Sequence, residues 1–226
     1  MPNQRMTKLN KVFDKSKSYP IAEAVDIVKK CATAKFDETI EIHLNLGIDP
    51  KKGEQLVRGM VVFPHAFGAS KRVAAFVSDD KVKDAKEAGA DIVVPVAEFG
   101  AFKDSGKLDF DVAVAMPDIM KNMAPLARIL GPKGLMPSPK NETITTNLKK
   151  TIDELKKGKT SFKNDDTANI HQKIGKKSLD NAKIIANFET IMDAIKKAKP
   201  DSSKGVFLKT IVICSSMGPA VKVDIK

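Results

Sequence analysis

The sequence predicts a mixed α/β protein in which one block of alternating strands and helices lies between two blocks with a different pattern. Residues 39–48 alternate apolar and polar side chains, which is the period of a strand with one buried face. Three short apolar runs within residues 71–116 are separated by helical patterns, as in a parallel sheet with helices on both faces. We therefore predict two domains, although one continuous α/β domain would also fit this pattern.

The first block, residues 1–67, is predicted to hold a helix followed by a strand. In YPIAEAVDIVKKCA, the side chains of Ile21, Val25, Val28 and Ala32 recur at helical spacing and form one apolar stripe. The strand follows in FDETIEIHLNLGID. Its buried face consists of Ile40, Ile42, Leu44, Leu46 and Ile48, and its polar face of Thr39, Glu41, His43 and Asn45.

The middle block, residues 68–158, alternates strands with helices. The runs KRVAAFVS, DIVVPV and DVAVAM predict strands that are apolar on both faces. The stretches DKVKDAKEAGA, PDIMKNMAPLARIL and NLKKTIDELKKG predict helices. Before the last of these, a loop rich in Gly and Pro carries Arg128, Lys133 and Lys140. This loop is either a rigid connection or an anion-binding site.

The last block, residues 159–226, resembles the first in its pattern of strands and helices. SFKNDDTANIHQKI predicts a hairpin that turns in DDTAN. SLDNAKIIANFETIMDAIKKAK predicts a long helix with Ser178 as its N-cap. The apolar stripe of that helix would consist of Leu179, Ala182, Ile185, Phe188, Met192 and Ile195. FLKTIVIC and VKVDI predict two strands, joined by the stretch SSMGPA.

The net charge of +11 is concentrated in the outer blocks. Together they hold 24 Lys and Arg against 15 Asp and Glu, whereas the middle block holds 15 against 13. If residues 1–67 and 159–226 form one domain into which residues 68–158 are inserted, the split domain is the part that attracts a polyanion such as nucleic acid. The two crossings, near PHAFGAS and KKGKTSF, each contain a glycine suited to a hinge.

Composition and motifs argue against a membrane protein and against an enzyme. No apolar run is long enough to cross a bilayer and the N-terminal residues lack the apolar core of a secretory signal, so we expect a cytoplasmic protein without a membrane partner. Cys31 and Cys214 have no metal-binding spacing and are expected to be buried thiols. GKT at 158–160 and GKKS at 175–178 lack the upstream glycine of a phosphate-binding loop. We expect no cofactor, no metal and no small-molecule substrate.

Several long stretches resemble one known family. ARILGPKGLMPSPK is similar to the signature of the large-subunit ribosomal protein family called L-one, in its bacterial type. FDETIEIHLNLGIDPKK, LVRGMVVFPH, IGKKS and SSMGP resemble further blocks of that family in the same order, from about residue 19 to residue 222. The resemblance implies a two-layer α+β split domain that binds RNA and an inserted three-layer, Rossmann-like α/β domain without a nucleotide. Phe67, Gly68 and Gly158 would then form the hinge.

The resemblance also implies partners and contact residues. Members bind large-subunit ribosomal RNA to form the mobile stalk near the tRNA exit site, so exit-site tRNA is a further partner, and bacterial members repress translation of their own mRNA. The residues onto which the RNA-binding pattern carries over are Lys35, Phe36, Thr39, Glu41, Lys163, Thr210, Ser216, Met217 and Gly218. Small hydroxyls suit the 2′-hydroxyls of RNA, and a flexible Met side chain can lie on a ribose. Simple core packing remains the alternative for Phe36 and Met217.

The sequence departs from the family pattern mainly at turns. Ala66, Glu142, Ala168 and Ala220 stand where the pattern has glycine, and Asp166 stands where it has lysine. These changes affect the expected hinge geometry and the hairpin's phosphate contact, but they do not touch Phe36, Thr39, Ser216 or Met217. Two other functions remain open: a nucleotide- or nucleoside-binding enzyme built on the middle block, and a general nucleic-acid chaperone.

Overall fold

The computed structural model describes residues 4–68, 71–105, 108–139, 142–156, 158–203 and 205–224, with the backbone alone for 103–105. The helices are α1 (Gln4–Leu9), α2 (Ile21–Cys31), α3 (Val82–Glu87), α4 (Phe99–Ser105), α5 (Ala127–Leu130), α6 (Leu148–Lys156) and α7 (Asn181–Lys197). The strands are β1 (Thr39–Leu46), β2 (Arg58–Val61), β3 (Val73–Val77), β4 (Ile92–Pro95), β5 (Val112–Ala115), β6 (Thr160–Lys163), β7 (Asn169–Lys176), β8 (Leu208–Ser215) and β9 (Val221–Val223). The chain divides into two compact units, Met1–Gly68 with Ser161–Lys226 and Ala69–Thr160.

A four-stranded antiparallel sheet forms the centre of the first unit. Its strand order is β7-β1-β8-β9. The even-numbered side chains of β1, from Ile40 to Leu46, are buried in a core that α2 and α7 share. The period-two prediction for this strand is therefore confirmed. The odd-numbered side chains lie on the opposite, partly exposed face together with polar residues of β7 and β8.

The predicted hairpin at DDTAN is confirmed at the turn and at one antiparallel bridge beside it, between Asn164 and Ile170, but β6 and β7 do not pair beyond that bridge. The Asp165 N–H donates to the Asn169 carbonyl (2.8 Å), and the Asp165 carboxylate accepts the N–H groups of Thr167 and Asn169. However, β6 pairs with β2 in a separate two-stranded sheet, whereas β7 pairs with β1. Phe162 and Asn164 explain the difference, because the ring packs beneath Gly59 and the amide oxygen accepts the Val57 N–H.

Helix α7 begins later than the sequence predicted, and its buried face includes Phe188, Met192 and Ile195 of the predicted stripe but not the first three residues of that stripe. Its N-cap is Asp180, whose carboxylate accepts the Asn181 N–H at 2.9 Å. Ser178 instead bonds Asp37 through both its N–H and its hydroxyl. The buried side chains of the helix are Ile184, Asn187, Phe188, Ile191, Met192 and Ile195. The predicted stripe is wrong at its start: Ala182 is exposed, Leu179 and Ile185 are half-buried, and the helix faces the sheet with the side that carries Ile184 and Ile191.

The second unit has a parallel sheet of order β4-β3-β5, which confirms the strands predicted from its apolar runs. Every side chain of β3 is buried, and Phe76 at its centre meets the rings of Phe99, Phe102 and Phe110 edge to face. Helices α3 and α6 pack against each other and against this sheet.

The helix predicted over PDIMKNMAPLARIL is shorter than expected. It consists of two 3-10 turns, Pro117–Ile119 and Ala124–Leu126, followed by the single turn of α5. Pro125 has no N–H to donate, so the helix does not run through it. In the loop that follows, Arg128 and Lys133 are on the described part of the chain, while Lys140 lies outside the described residues.

Two of the positions where the family pattern has glycine keep a glycine-like backbone. Glu142 has φ of 48° and Ala168 has φ of 63°, the left-handed region that glycine adopts without strain. Ala66 and Ala220 are not in this region. The substitutions at Glu142 and Ala168 therefore store backbone strain, and those at Ala66 and Ala220 do not.

Candidate nucleic-acid interface

Two segments far apart in the chain meet at one end of the four-stranded sheet. Strands β1 and β8 pair side by side, with Ile40 opposite Ser215. Beyond that pair, the Ser216 N–H donates to the Thr39 carbonyl (3.0 Å), and the Ser216 hydroxyl accepts the Thr39 N–H (3.2 Å). We call the surface formed by residues 35–41 and 210–218 the β1–β8 surface. It contains eight of the nine residues predicted to contact RNA, but Thr210 lies opposite Asn45 at the far end of β8 and not at the junction of Thr39 and Ser216.

The ninth, Lys163, belongs to a different sheet. It is exposed on β6, which pairs with β2. The predicted hinge residues have suitable local conformations: Gly68 and Gly158 both have φ of 99°, and the ring of Phe67 packs against Phe63 with centroids 5.4 Å apart. Their action as a hinge stays a prediction.

The two large apolar side chains of the β1–β8 surface are turned to solvent. Phe36 is 55% exposed and Met217 is 52% exposed. Core packing, the alternative for both residues, is therefore wrong. Lys35 is also exposed, whereas Thr39, Glu41 and Thr210 are half-buried on the polar face of the sheet. The surface thus combines apolar, hydroxyl and charged groups, which is the mixture that contacts with ribose and phosphate use.

Gly218 is required by the turn itself. Its N–H donates to the Ser215 carbonyl at 2.9 Å, which closes the turn that carries Met217. A Cβ at position 218 would lie 2.4 Å from the Ser215 hydroxyl oxygen. The close approach that the absence of a side chain at position 218 allows is therefore to the Ser215 side chain. Ser216 likewise bonds the backbone of Thr39 through its own N–H and its hydroxyl. Its hydroxyl therefore has fewer free donor and acceptor positions for a 2′-hydroxyl of RNA.

A buried carboxylate that sequence reasoning missed lies directly beneath this surface. Glu38 is fully buried and accepts the Ala34 N–H on Oε1 (2.7 Å) and the Met217 N–H on Oε2 (3.1 Å). Burial acts to raise the pKa of Glu38, but the Ala34 N–H, the Ser215 hydroxyl, the Met217 N–H and the Arg5 guanidinium at 3.7 Å outweigh it and hold the pKa below its ordinary value. The signal was present in the sequence, because the alternation that buries Ile40 also places Glu38 on the buried face.

A chain of polar side chains crosses the open face of the sheet. His43 Nε2 lies 3.1 Å from Cys214 Sγ, His43 Nδ1 lies 2.7 Å from His171 Nδ1, and His171 Nε2 lies 3.4 Å from an Asp165 oxygen. Burial, followed by the charge of Glu41, raises the pKa of Cys214 to about 11, so its thiol donates to His43. The Asn169 N–H, the largest favourable contribution, holds the pKa of Asp165 far below its ordinary value, so Asp165 accepts from His171. His43, on the polar face that the sequence predicted, is therefore the centre of a hydrogen-bonded network.

The parallel sheet of the second unit lacks the turn that binds phosphate in dinucleotide-binding proteins. In dinucleotide-binding sheets a glycine-rich turn follows a central strand and receives the phosphates. Here β3 is followed by a 3-10 turn that begins with Asp79 and Asp80, whose charges would repel phosphate. Within the described ranges, no three His, Cys, Asp or Glu side chains are grouped so that they could hold a metal ion. The same part of the chain contains no helix that is long and apolar enough to span a membrane.

The charge of the first unit completes this description. Met1–Gly68 and Ser161–Lys226 hold 23 Lys and Arg against 15 Asp and Glu, a net charge of +8. A basic unit that presents exposed apolar and hydroxyl side chains, in a mixed α/β fold, has the features of a nucleic-acid-binding protein.

The family comparison gives the particular class. The sequence matches the model of the Ribosomal protein L1p/L10e family over residues 28–219, which is most of the chain and includes both segments of the β1–β8 surface. The chain belongs to this family, and the identification made from the sequence blocks is confirmed. It is a ribosomal protein of the large subunit, in a family that binds ribosomal RNA and is not a family of enzymes.

Proposed function

We propose that this protein binds the stalk region of large-subunit ribosomal RNA through the β1–β8 surface. In this proposal the unit formed by Met1–Gly68 and Ser161–Lys226 is the split RNA-binding domain, and Ala69–Thr160 is the inserted domain. The observation that carries the proposal is the junction of the two segments. The Glu38 carboxylate accepts the Met217 N–H and the Ser216 hydroxyl accepts the Thr39 N–H, which joins the segments, and Phe36 and Met217 are half-exposed on either side.

The chemistry of the surface suits the shape of an RNA helix. The shallow minor groove of A-form RNA displays 2′-hydroxyls, which half-buried hydroxyls such as Thr39 and Thr210 can bond. The thioether of Met217 can adapt to a sugar or a base edge. Lysines of the same unit, including Lys35, supply a phosphate attraction that weakens as salt is added. Shape and sugar contacts give specificity here, and the net charge of +8 gives affinity.

The finer parts of the role follow from this mode of recognition. A surface that reads shape and 2′-hydroxyls responds equally to two RNAs that fold alike. A stem in the protein's own mRNA leader that resembles the ribosomal site would therefore compete for the same surface, and binding there would repress translation. In the cytoplasmic ribosome the protein would form the mobile stalk beside the tRNA exit site, where it contacts exit-site tRNA.

A binding titration tests the proposal. Fluorescently labelled stalk stem and a scrambled stem are titrated with the protein at fixed salt, and we expect tight binding to the first stem only. Met217→Ala should weaken binding about tenfold, since burying the exposed half of a Met side chain against RNA contributes about 1.4 kcal/mol. Val206→Ala is the matched control, because Val206 is an exposed apolar residue of the same unit outside the β1–β8 surface. Equal affinity of wild type and Met217→Ala for the stalk stem would refute the assigned surface.

Two further measurements separate the other functions. A general nucleic-acid chaperone would be displaced from the stalk stem by unrelated RNA at moderate salt, whereas a specific binder would not. An enzyme built on the parallel sheet would release or absorb heat with ATP, GTP or NAD, and we expect no heat in such calorimetric titrations.

A further inference from the structure

We infer that Glu38 is a positioning residue for RNA binding, whose buried carboxylate holds Phe36 and Met217 in place without touching RNA. This inference rests on the proposed function of the β1–β8 surface. Glu38 has no exposed atoms in the described structure, so any effect of it on RNA must pass through neighbouring residues.

The carboxylate joins both halves of the surface. Oε1 accepts the N–H of Ala34, which begins the loop containing Lys35 and Phe36, and Oε2 accepts the N–H of Met217. A buried charge is costly unless hydrogen bonds compensate it, and here the two compensating N–H groups come from opposite ends of the chain. If either segment lost its N–H bond to Glu38, the buried charge would be less well compensated. The position of each segment therefore depends on the other.

Met217 depends on its backbone for its position. Half of its side chain is exposed, so packing confines it only in part. The neighbouring N–H groups in this turn bond elsewhere: Ser216 donates to the Thr39 carbonyl and Gly218 to the Ser215 carbonyl. The bond to Glu38 is the one that fixes the N–H of Met217 itself. Without it, the residue at the tip of the turn gains freedom while the turn on either side of it stays closed.

The charge of the carboxylate matters as well as its size. Two N–H donors converge on Glu38, and the Arg5 guanidinium lies 3.7 Å away. Glutamine has the same length, but it would turn an NH₂ group toward one of these donors, and two donors repel each other. Glu38→Gln should therefore release one half of the surface. Glu38→Asp keeps the charge but shortens the reach, so it should lengthen at least one of the bonds.

The experiment measures RNA affinity and the environment of Met217 in the full-length protein. We expect Glu38→Gln to weaken binding to the stalk stem about tenfold, a loss comparable with that of Met217→Ala. In the double variant the loss should be smaller than the product of the single losses, because both changes act on the same turn. In the RNA-free protein, the ¹³C-methyl NMR signal of Met217 should shift or broaden in Glu38→Gln.

Asn187→Ala is the matched control for a purely structural effect. Asn187 is an equally buried polar residue of the same unit, and it bonds the carbonyls of His65 and Ile174, neither of which bonds Glu38 or the turn that carries Met217. We expect it to lower the unfolding temperature while leaving RNA affinity and the Met217 signal unchanged.

Three outcomes would each overturn the inference. The first is wild-type affinity in Glu38→Gln, and the second is a loss of affinity in the Glu38→Gln, Met217→Ala double variant equal to the product of the single losses. The third is a loss of affinity in Asn187→Ala as large as that in Glu38→Gln. Glu38→Asp is measured in parallel, so that the same criteria apply to it if Glu38→Gln does not fold. Failure of the wild type to bind the stalk stem would refute the proposed function, whereas normal binding by a folded Glu38 variant refutes only this inference.

Discussion

Replacing Gly218 with alanine should destabilise the turn that carries Met217 by a predictable route. The new methyl carbon would lie 2.4 Å from the Ser215 hydroxyl oxygen and 3.5 Å from the Ser215 Cβ. A carbon–oxygen contact needs more than about 3 Å, so either the turn shifts by at least about 0.6 Å or the buried hydroxyl rotates. Overpacking of this kind costs about 1–3 kcal/mol. For a unit of this size the unfolding temperature should fall by about 3–10 °C.

The double variant Ser215→Ala with Gly218→Ala isolates the cause. Removing the hydroxyl leaves only the 3.5 Å contact, which is an ordinary van der Waals distance. The Ser215 hydroxyl is buried beside the Glu38 carboxylate and helps to lower its pKa, so Ser215→Ala has a cost of its own and is measured alone as the reference for the double variant. Thermal unfolding followed by circular dichroism should show a drop for Gly218→Ala and recovery in the double variant. An unchanged midpoint for the single variant, or no recovery in the double, would refute the reasoning.

Three further results are expected. Burial, together with the charge of His171, holds the pKa of His43 below its ordinary value, so the unfolded chain binds more protons near pH 6 and the free energy of unfolding should fall as pH drops below about 6.5. His43→Asn should flatten this fall in urea titrations from pH 7 to 5. Residues 1–68 joined by a short linker to 161–226 should bind the stalk stem within a few-fold of full-length protein; binding by 69–160 alone would contradict this. Ala168→Gly should relieve about 1 kcal/mol of left-handed strain, which offsets the entropy cost of about 0.5–1 kcal/mol for ordering a glycine, so the free energy of unfolding measured in urea should not fall.

The strained turns show how tertiary contacts tolerate a local conflict. The Ala168 carbonyl accepts the Leu46 N–H at 2.9 Å, and the Glu142 carboxylate bonds the buried Lys159 ammonium at 2.5 Å. Each contact holds its residue in the left-handed region although neither is glycine. The sequence comparison could identify these two positions as departures, but it could not say that the backbone there had kept its shape.

Much of the fold was predictable because its evidence is local. The alternation in β1 and the apolar runs of β3, β4 and β5 follow from the geometry of each strand by itself, and the structure confirms them. The errors came where a distant partner decides the outcome. Ser178 was an acceptable N-cap by residue type, but Asp37 engages it and Asp180 caps α7 instead. Strand β6 does not form a ladder with β7, as the predicted hairpin required, because it pairs with β2.

By itself, the amino-acid sequence determined the family, the basic character of the outer segments and the period of each strand, since these depend on residue type and spacing. Only the tertiary structure decided which groups meet. It placed a carboxylate from one end of the chain against the Met217 N–H from the other, and it brought His171 and Cys214 to His43 from neighbouring strands. A hydrogen bond between remote segments produces no periodic pattern in the sequence of either segment. The donor and the acceptor each follow only the pattern of their own strand, helix or turn.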